Sequence, residues 1–424
     1  MRRYTHFTFS VAPLLWCWSL IGHAAMPLLR HHARKRLSKG KENPKRLPER
    51  FGQPSLPQPS PGSPVLWVHA ASVGESRCIL PVIDHLLADC PDLTILMTTA
   101  TLTGGETVAA HPATRTGRLL HQLCPYDAPH LVRRFMAFWQ PVGLVLTESE
   151  LWPGMLCLCQ EKHIPVMLLN GRLSTRSRKR WHLAAPLLRS LLHPCRWIMP
   201  RNEEDARGFA RFGIGPLLPA ADLKEDAPSP SFNPDDAKKL HHTLGHRPVF
   251  LAISTHPGEE DIIVEATLKA QRSRPDLLTI IIPRHPERGA ELARRFQAPR
   301  RSTGHMPTDQ DTFWIADTLG EVGLFLTIAE RTFIGNSLCS PGGGHNPLEP
   351  LHFRRPTAIG PYMQNWRTLC TQHASSLHKI DSAETLTHWL IETDLPLPPV
   401  PQRNEACRKA ARHIKDIIMP NKAF

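Results

Sequence analysis

Residues 65–75 read VLWVHAASVGE, and the apolar positions of 78–87 then recur at helical spacing. A short apolar run closed by a polar turn is a buried strand, and the change to a 3.6-residue period marks the helix that follows it. The same alternation continues through LTILMTTAT (93–101), VGLVLTESELWP (142–153) and PVMLLNGRLSTRS (165–177). It restarts beyond a proline-rich break, APSPSFNPDD (227–236), with PVFLAIS (248–254), LLTIIIP (277–283), RTFIGNS (331–337) and PTAIGP (356–361). Strands that alternate with helices need crossover connections, so the expected fold class is α/β, with two doubly wound parallel sheets. A chain of 424 residues is too long for one core and agrees with two domains and a cleft. Ligands of such sheets sit beyond the carboxyl ends of the strands, where this sequence places its polar residues.

Four polar clusters fall at those ends: 72–75, 148–153, 254–260 and 283–287. Glu75 follows Gly74 at a strand-to-helix turn, where the helix dipole favours the carboxylate. A general base there needs partial burial or a second carboxylate to raise its pKa, and a first-turn cap is the alternative role. Glu148 and Glu150 have strand spacing, which sets both side chains on one face about 7 Å apart. One could hold a substrate and the other a cation, or one could cap the helix after Pro153. Arg284 suits a phosphate through its bidentate fork, with a surface ion pair as the alternative. Lys224, in ADLKED, could add positive charge beside a departing phosphate. Residues 341–350, PGGGHNPLEP, join three glycines to a helix start, which suits a phosphate at the backbone N–H groups and a ribose diol at Glu349. The alternative is a loop whose glycines only turn the chain.

The formal net charge of +13 suits nucleic acid, an anionic membrane surface or a phosphorylated substrate. With three tyrosines and no run that interleaves aromatic and basic residues, a single-strand nucleic-acid platform is not expected. Ten scattered cysteines without a CxxC read as reduced core thiols, and no His or carboxylate spacing describes a closed metal site, so neither metal nor cofactor is expected. Residues 7–29 carry no Asp, Glu, Lys or Arg and are about long enough to cross a bilayer, and the basic run 30–50 follows. A retained membrane anchor is the expectation, with an interfacial segment or a cleaved signal peptide as alternatives. Residues 53–64, QPSLPQPSPGSP, should stay extended and isolate the anchor. The closing segment 403–419 is helical and basic and is expected to pack back across the first domain.

The motifs WVHAASVGE (67–75), TESELWP (147–153), NGRLSTRS (170–177), ADLKED (221–226), STHPGEED (254–261), PRHPER (283–288), DTLGEV (317–322) and GGGHNPLEP (342–350) occur in that order over most of the chain. Together they closely resemble the 3-deoxy-D-manno-octulosonic acid (Kdo) transferases of the lipopolysaccharide inner core. The resemblance implies two facing Rossmann-like domains of the GT-B type and an N-terminal membrane-anchor segment. It implies inverting transfer of Kdo from CMP-Kdo to the 6′-hydroxyl of a lipid A precursor, at the cytoplasmic side of a bacterial inner membrane. Carried over by residue, Glu75 is the general base, while Glu148 and Lys224 assist the transition state. Pro283, Arg284, Gly320, Glu321, Val322, Asn346, Pro347, Leu348 and Glu349 bind CMP. The expected division is 1–50 anchor and basic segment, 51–64 linker, 65–226 acceptor-binding domain, 227–244 linker, 245–402 CMP-binding domain and 403–424 C-terminal helix. Asn336 stands where the family usually has a glycine, Ala220 and Ala221 replace a usual Gly-Asn pair, and Ser149 replaces a common threonine. Competing expectations are a transferase of the same architecture with another nucleotide sugar, and a non-catalytic, membrane-tethered basic protein.

Overall fold

The structure, a computed structural model, describes residues 11–60, 62–226, 229–401 and 405–419. The chain divides into two compact units, Met1–Ala227 with Arg403–Phe424, and Pro228–Gln402. In the first, strands β1 (Val65–Ala70), β2 (Thr94–Thr99), β3 (Leu119–Leu123), β4 (Gly143–Thr147), β5 (Val166–Gly171) and β6 (Cys195–Pro200) form one sheet in the order β3-β2-β1-β4-β5-β6. In the second, β7 (Val249–Thr255), β8 (Leu278–Pro283), β9 (Phe313–Ile315), β10 (Arg331–Ile334), β11 (Thr357–Ile359) and β12 (Leu377–Lys379) follow the order β12-β11-β10-β7-β8-β9. Every pairing is parallel. Both sheets therefore have the same winding, which reverses between β1 and β4 and again between β7 and β10. Those reversals are the points at which doubly wound sheets open a crevice for ligands.

The eight apolar runs read from the sequence are the eight inner strands. Helices cover both of their faces, so runs such as Leu66, Trp67 and Val68, or Ile280 and Ile281, are almost wholly buried. The helix Val73–Asp89 starts at Ser72, whose side chain accepts from the Glu75 N–H. Against it packs the closing helix Ala406–Ile418, through buried Cys407, Ala410, Ala411 and Ile414. Helix formation there follows from the 3.6-residue recurrence of small and apolar residues in an otherwise basic segment. All ten cysteines are unpaired, and seven are buried.

The N-terminal segment differs from an isolated anchor. Residues 7–10 lie outside the described residues, and the rest of the apolar segment forms two helices, Val11–Ala24 and Met26–Ser38, the second with Pro27 in its first turn. Among the described residues no helix is long and apolar enough to cross a membrane. The segment is also not isolated from the first unit. The Trp18 indole N–H donates to the Asp127 carbonyl (2.8 Å) and carboxylate (3.1 Å), and the His23 ring stacks on His130. Residues 53–60 run along the unit rather than away from it: Gln122 donates to the Gln53 carbonyl and Gln58 to that of Phe138. Part of the basic run is consumed internally, Arg50 by Glu42 and Arg46 by Glu49, with Glu42, Glu49 and Arg50 buried.

The segment 227–244 also differs from a linker. Its first two residues lie outside the described residues, but Pro234–Leu244 is a helix capped by Asn233 that buries Ala237, Leu240 and Leu244 in the second unit.

Candidate active site

In the first unit the winding reversal brings Glu75, after β1, beside the end of β4. The Glu75 carboxylate accepts three hydrogen bonds: from the Ala71 N–H (2.8 Å), the Ser72 hydroxyl (2.9 Å) and the Thr147 hydroxyl (2.8 Å). Burial pushes its pKa up, and nearby Glu148 adds to the rise, while the three donors pull in the opposite direction. The net direction is upward, as a base at a helix start requires. The cap reading is met by the same geometry, because the bonds to Ala71 and Ser72 tie down the helix entry.

Glu148 and Glu150 do not share a face. Strand β4 ends at Thr147, and Glu148 adopts a left-handed backbone (φ 51°), so the two side chains diverge. Glu148 lies 3.4 Å from the Lys224 ammonium, both side chains being about one-fifth exposed (21% and 23%). Glu150 accepts from the Trp152 indole at 2.7 Å and lies 3.7 Å from the Nε2 of buried His69. Neither caps the helix Pro153–Glu161. Asp127 does, accepting from the N–H groups of Gly154 and Met155 at 2.8 Å each. Lys224 is held in place by Asn170, whose carbonyl oxygen accepts from the Leu223 N–H while its amide donates to Asp222, itself the acceptor for the Lys224 N–H. Asn170 has a positive φ of 54°, at the irregularity near the carboxyl end of β5.

In the second unit three strand ends converge. His256 follows β7, Pro283, Arg284 and His285 close β8, and His345 ends the glycine loop after β10. The His256 and His345 Nε2 atoms are 3.1 Å apart with stacked rings, and His285 packs edge-on to His256. Burial depresses both His256 and His345, the latter to about 4, and Arg284 and the neighbouring imidazoles push in the same direction. Arg284 is exposed, its N–H donates to the Thr255 carbonyl, and among the described residues its guanidinium makes no ion pair. Buried Glu259 accepts from the backbone N–H groups of His256, Asn336, Ser337 and Leu338, which fixes the β7 and β10 ends against each other. Gly320 (φ 81°), Glu321 and Val322 follow β9, the strand next to β8, and Glu321 pairs with Arg301 at 2.8 Å. Asn346 accepts from the Leu348 N–H where Leu348–His352 begins, with Pro347 and Leu348 buried and Glu349 half-buried in its first turn.

Two of the glycine loop's N–H groups are already engaged, contrary to expectation. The Gly343 and Gly344 N–H groups donate to the carbonyls of Tyr362 and Asn336. A Cβ at Gly342 would meet Tyr362 at 2.3 Å, and one at Gly344 the Met363 sulfur at 2.2 Å. These glycines serve close packing against 362–366, as well as positive φ. Asn336 takes the left-handed conformation (φ 56°) of the glycine usual there, which Asn tolerates.

Residues 45–227 match the family model described as 3-Deoxy-D-manno-octulosonic-acid transferase (kdotransferase). A 3-deoxy-D-manno-octulosonic acid transferase of Haemophilus influenzae is 34% identical over 335 residues, covering 76% of this chain and 76% of that protein. A protein of Arabidopsis thaliana named "Probable 3-deoxy-D-manno-octulosonic acid transferase, mitochondrial" is 34% identical over 340 residues, covering 77% and 75%. The chain belongs to the Kdo transferase family. It is thus a glycosyltransferase, and its two parallel-sheet units are those of the GT-B fold. A glycosyltransferase of Rickettsia africae has the same fold at a TM-score of 0.55 and 11% identity, covering 85% of this chain and all of that one. For this Kdo transferase the sequence reading missed Thr147, Asn170, Asp127 and Glu259. Asn170 carried a signal, an Asn-Gly pair at a strand end, whereas the other three act on groups remote in sequence.

Proposed function

We propose that the protein transfers Kdo from CMP-Kdo to the 6′-hydroxyl of a lipid A precursor, with inversion at the anomeric carbon, in lipopolysaccharide synthesis. Glu75 takes the proton of that hydroxyl as its oxygen bonds to the anomeric carbon, and the bond to the phosphate oxygen breaks with its electron pair leaving on CMP. The observation that carries this reading is the Glu75 carboxylate itself. It is held in one position by three donors at the winding reversal of a Kdo transferase fold, with its proton affinity raised by burial. Lys224, paired with Glu148, supplies positive charge against the charge that develops on the leaving phosphate. Pro283, Arg284, Gly320, Glu321, Val322, Asn346, Pro347, Leu348 and Glu349 form the CMP site of the second unit, where Arg284 is exposed and open to a phosphate. No metal or cofactor takes part: CMP carries one phosphate, which cationic side chains can neutralise.

The working location is the cytoplasmic face of the bacterial inner membrane. Trp16, Leu20, Ile21 and Leu28 of the N-terminal helices are exposed at 53–72% and suit an interfacial attachment. The test is chromatography of CMP released from CMP-Kdo in the presence of a tetra-acylated lipid A precursor, with anomeric configuration read by NMR. Release of CMP only with acceptor present is expected. The absence of release, or displacement of bound CMP by UDP at equal concentration, rejects the assignment.

A further inference from the structure

At the amino ends of β5 and β6 the first unit has a solvent-open cavity of about 1230 Å³ whose basic lining residues are exposed. It is lined by His163 before β5, by Arg189, Ser190 and His193 from the end of the helix Ala185–Leu192, by Arg196 at the start of β6 and by Arg211 at the end of the helix Glu203–Arg211. No Asp or Glu lines it. Glu161, adjacent in sequence to this rim, is engaged by Arg133 at 3.1 Å. Parallel strands put this cavity at the opposite edge of the sheet from Glu75 and Glu148, roughly 20 Å away by the length of a six-residue strand.

Arginines at helix ends often serve the helices themselves, by offsetting the dipole. Arg189 does so in part, because its Nε–H donates to the Phe212 carbonyl at 2.7 Å. That role does not account for the whole cluster. Three helices, Pro153–Glu161, Ala185–Leu192 and Glu203–Arg211, end at this rim, and each contributes about half a negative charge. Together they offset roughly half of three arginine charges, leaving an excess that grows if His163 or His193 is protonated. Among the described residues Arg196 and Arg211 form no hydrogen bond or ion pair through their side chains. Guanidinium groups gathered around one cavity without a carboxylate are a binding arrangement for an anion, and their forks match phosphate oxygens. At about 1230 Å³ it is too large for a single phosphate ion and exceeds the roughly 300–1,000 Å³ of ordinary small-molecule sites, which leaves room for a larger organic ligand.

We propose that this cavity is a second, non-catalytic binding site for an anion bearing one or more phosphate groups, the shared chemistry of acidic lipid headgroups and soluble polyphosphates. The test uses the full chain in detergent and the double variant Arg196→Gln/Arg211→Gln. Both positions are exposed and lie outside the proposed catalytic machinery, so CMP binding and Kdo transfer in detergent should stay unchanged. Arg180→Gln, on the helix Thr175–His182 and outside the cavity, is the control for general surface charge. One arm titrates inorganic pyrophosphate by calorimetry, and the other measures retention on phosphatidylcholine vesicles with and without phosphatidylglycerol. The double variant should weaken pyrophosphate binding at least about tenfold, or lower phosphatidylglycerol-dependent retention by as much, with the control within about twofold of the unmodified protein. Loss in the vesicle arm alone assigns a lipid headgroup, and loss in the pyrophosphate arm assigns a soluble anion. If the double variant matches the unmodified protein in both arms, if neither probe binds, or if CMP displaces all bound pyrophosphate, the site does not exist.

Discussion

Replacing Glu75 by Gln separates base from cap. In the native site one carboxylate oxygen accepts from Ala71 and Thr147, and the other from the Ser72 hydroxyl. A glutamine can keep its carbonyl oxygen on the first pair and donate its amide to Ser72, whose hydroxyl rotates to accept. The hydrogen bonds survive, so the stability cost should stay within about 1 kcal/mol, or a fall of about 2–4 °C in Tm. Proton transfer does not survive, and kcat should fall by about 10²- to 10⁴-fold. Glu75→Ala removes the acceptor as well and leaves the Ala71 N–H unpaired, at a further cost of about 1–3 kcal/mol. The assay pairs scanning calorimetry with initial rates of CMP release at saturating donor and acceptor. Glu75→Gln with native Tm and more than a tenth of native kcat would refute the base role and leave Glu75 as a helix cap.

The acid limb of the kcat/KM profile should follow Glu75, rising with pH because the working form is the carboxylate and its pKa is raised by burial. Thr147→Val removes a donor that favours the charged form and should move that limb to higher pH; an unmoved limb, or a shift to lower pH, contradicts the assignment. Lys224→Met and Glu148→Gln should each lower kcat by about 10- to 100-fold, and the double variant by less than the product, since the two groups are 3.4 Å apart; full additivity in the double-mutant cycle argues that they act separately. Glu259→Gln must turn an amide N–H₂ towards two of the four backbone N–H groups that the carboxylate now accepts. That should destabilise the second unit by about 3 kcal/mol and weaken CMP binding, and an unchanged Tm would show that the capping network is not needed.

The sequence disclosed all eight inner strands and none of the four edge strands β3, β6, β9 and β12. For β3 and β12 the physical cause is burial, whereas β9 is a buried run of only three residues, FWI. Inner strands are covered on both faces and become continuous apolar runs, whereas LLHQL of β3 and LHK of β12 carry polar residues because an edge meets solvent or loops. The site divides in a similar way. Glu75, Lys224 and Arg284 lie at strand ends or beside turns and could be chosen from local pattern. Their supports could not: Thr147 reaches Glu75 across 72 residues, and Glu259 reaches Ser337 across 78. The paired reading of Glu148 and Glu150 failed because it assumed an extended backbone past Thr147, where the chain in fact turns left-handed. The glycine loop follows β10, but its Gly343 and Gly344 N–H groups bond to Tyr362 and Asn336 within the unit, and only tertiary contacts determine that.

The central claim is Kdo transfer with Glu75 as base, and mass spectrometry of the lipid tests it most directly. Purified protein and Glu75→Gln are incubated side by side with CMP-Kdo and tetra-acylated lipid A precursor. The account predicts a mass gain of one or more Kdo units with the native protein and almost none with the variant. An unchanged lipid with the native protein, or an equal gain with both, would contradict it.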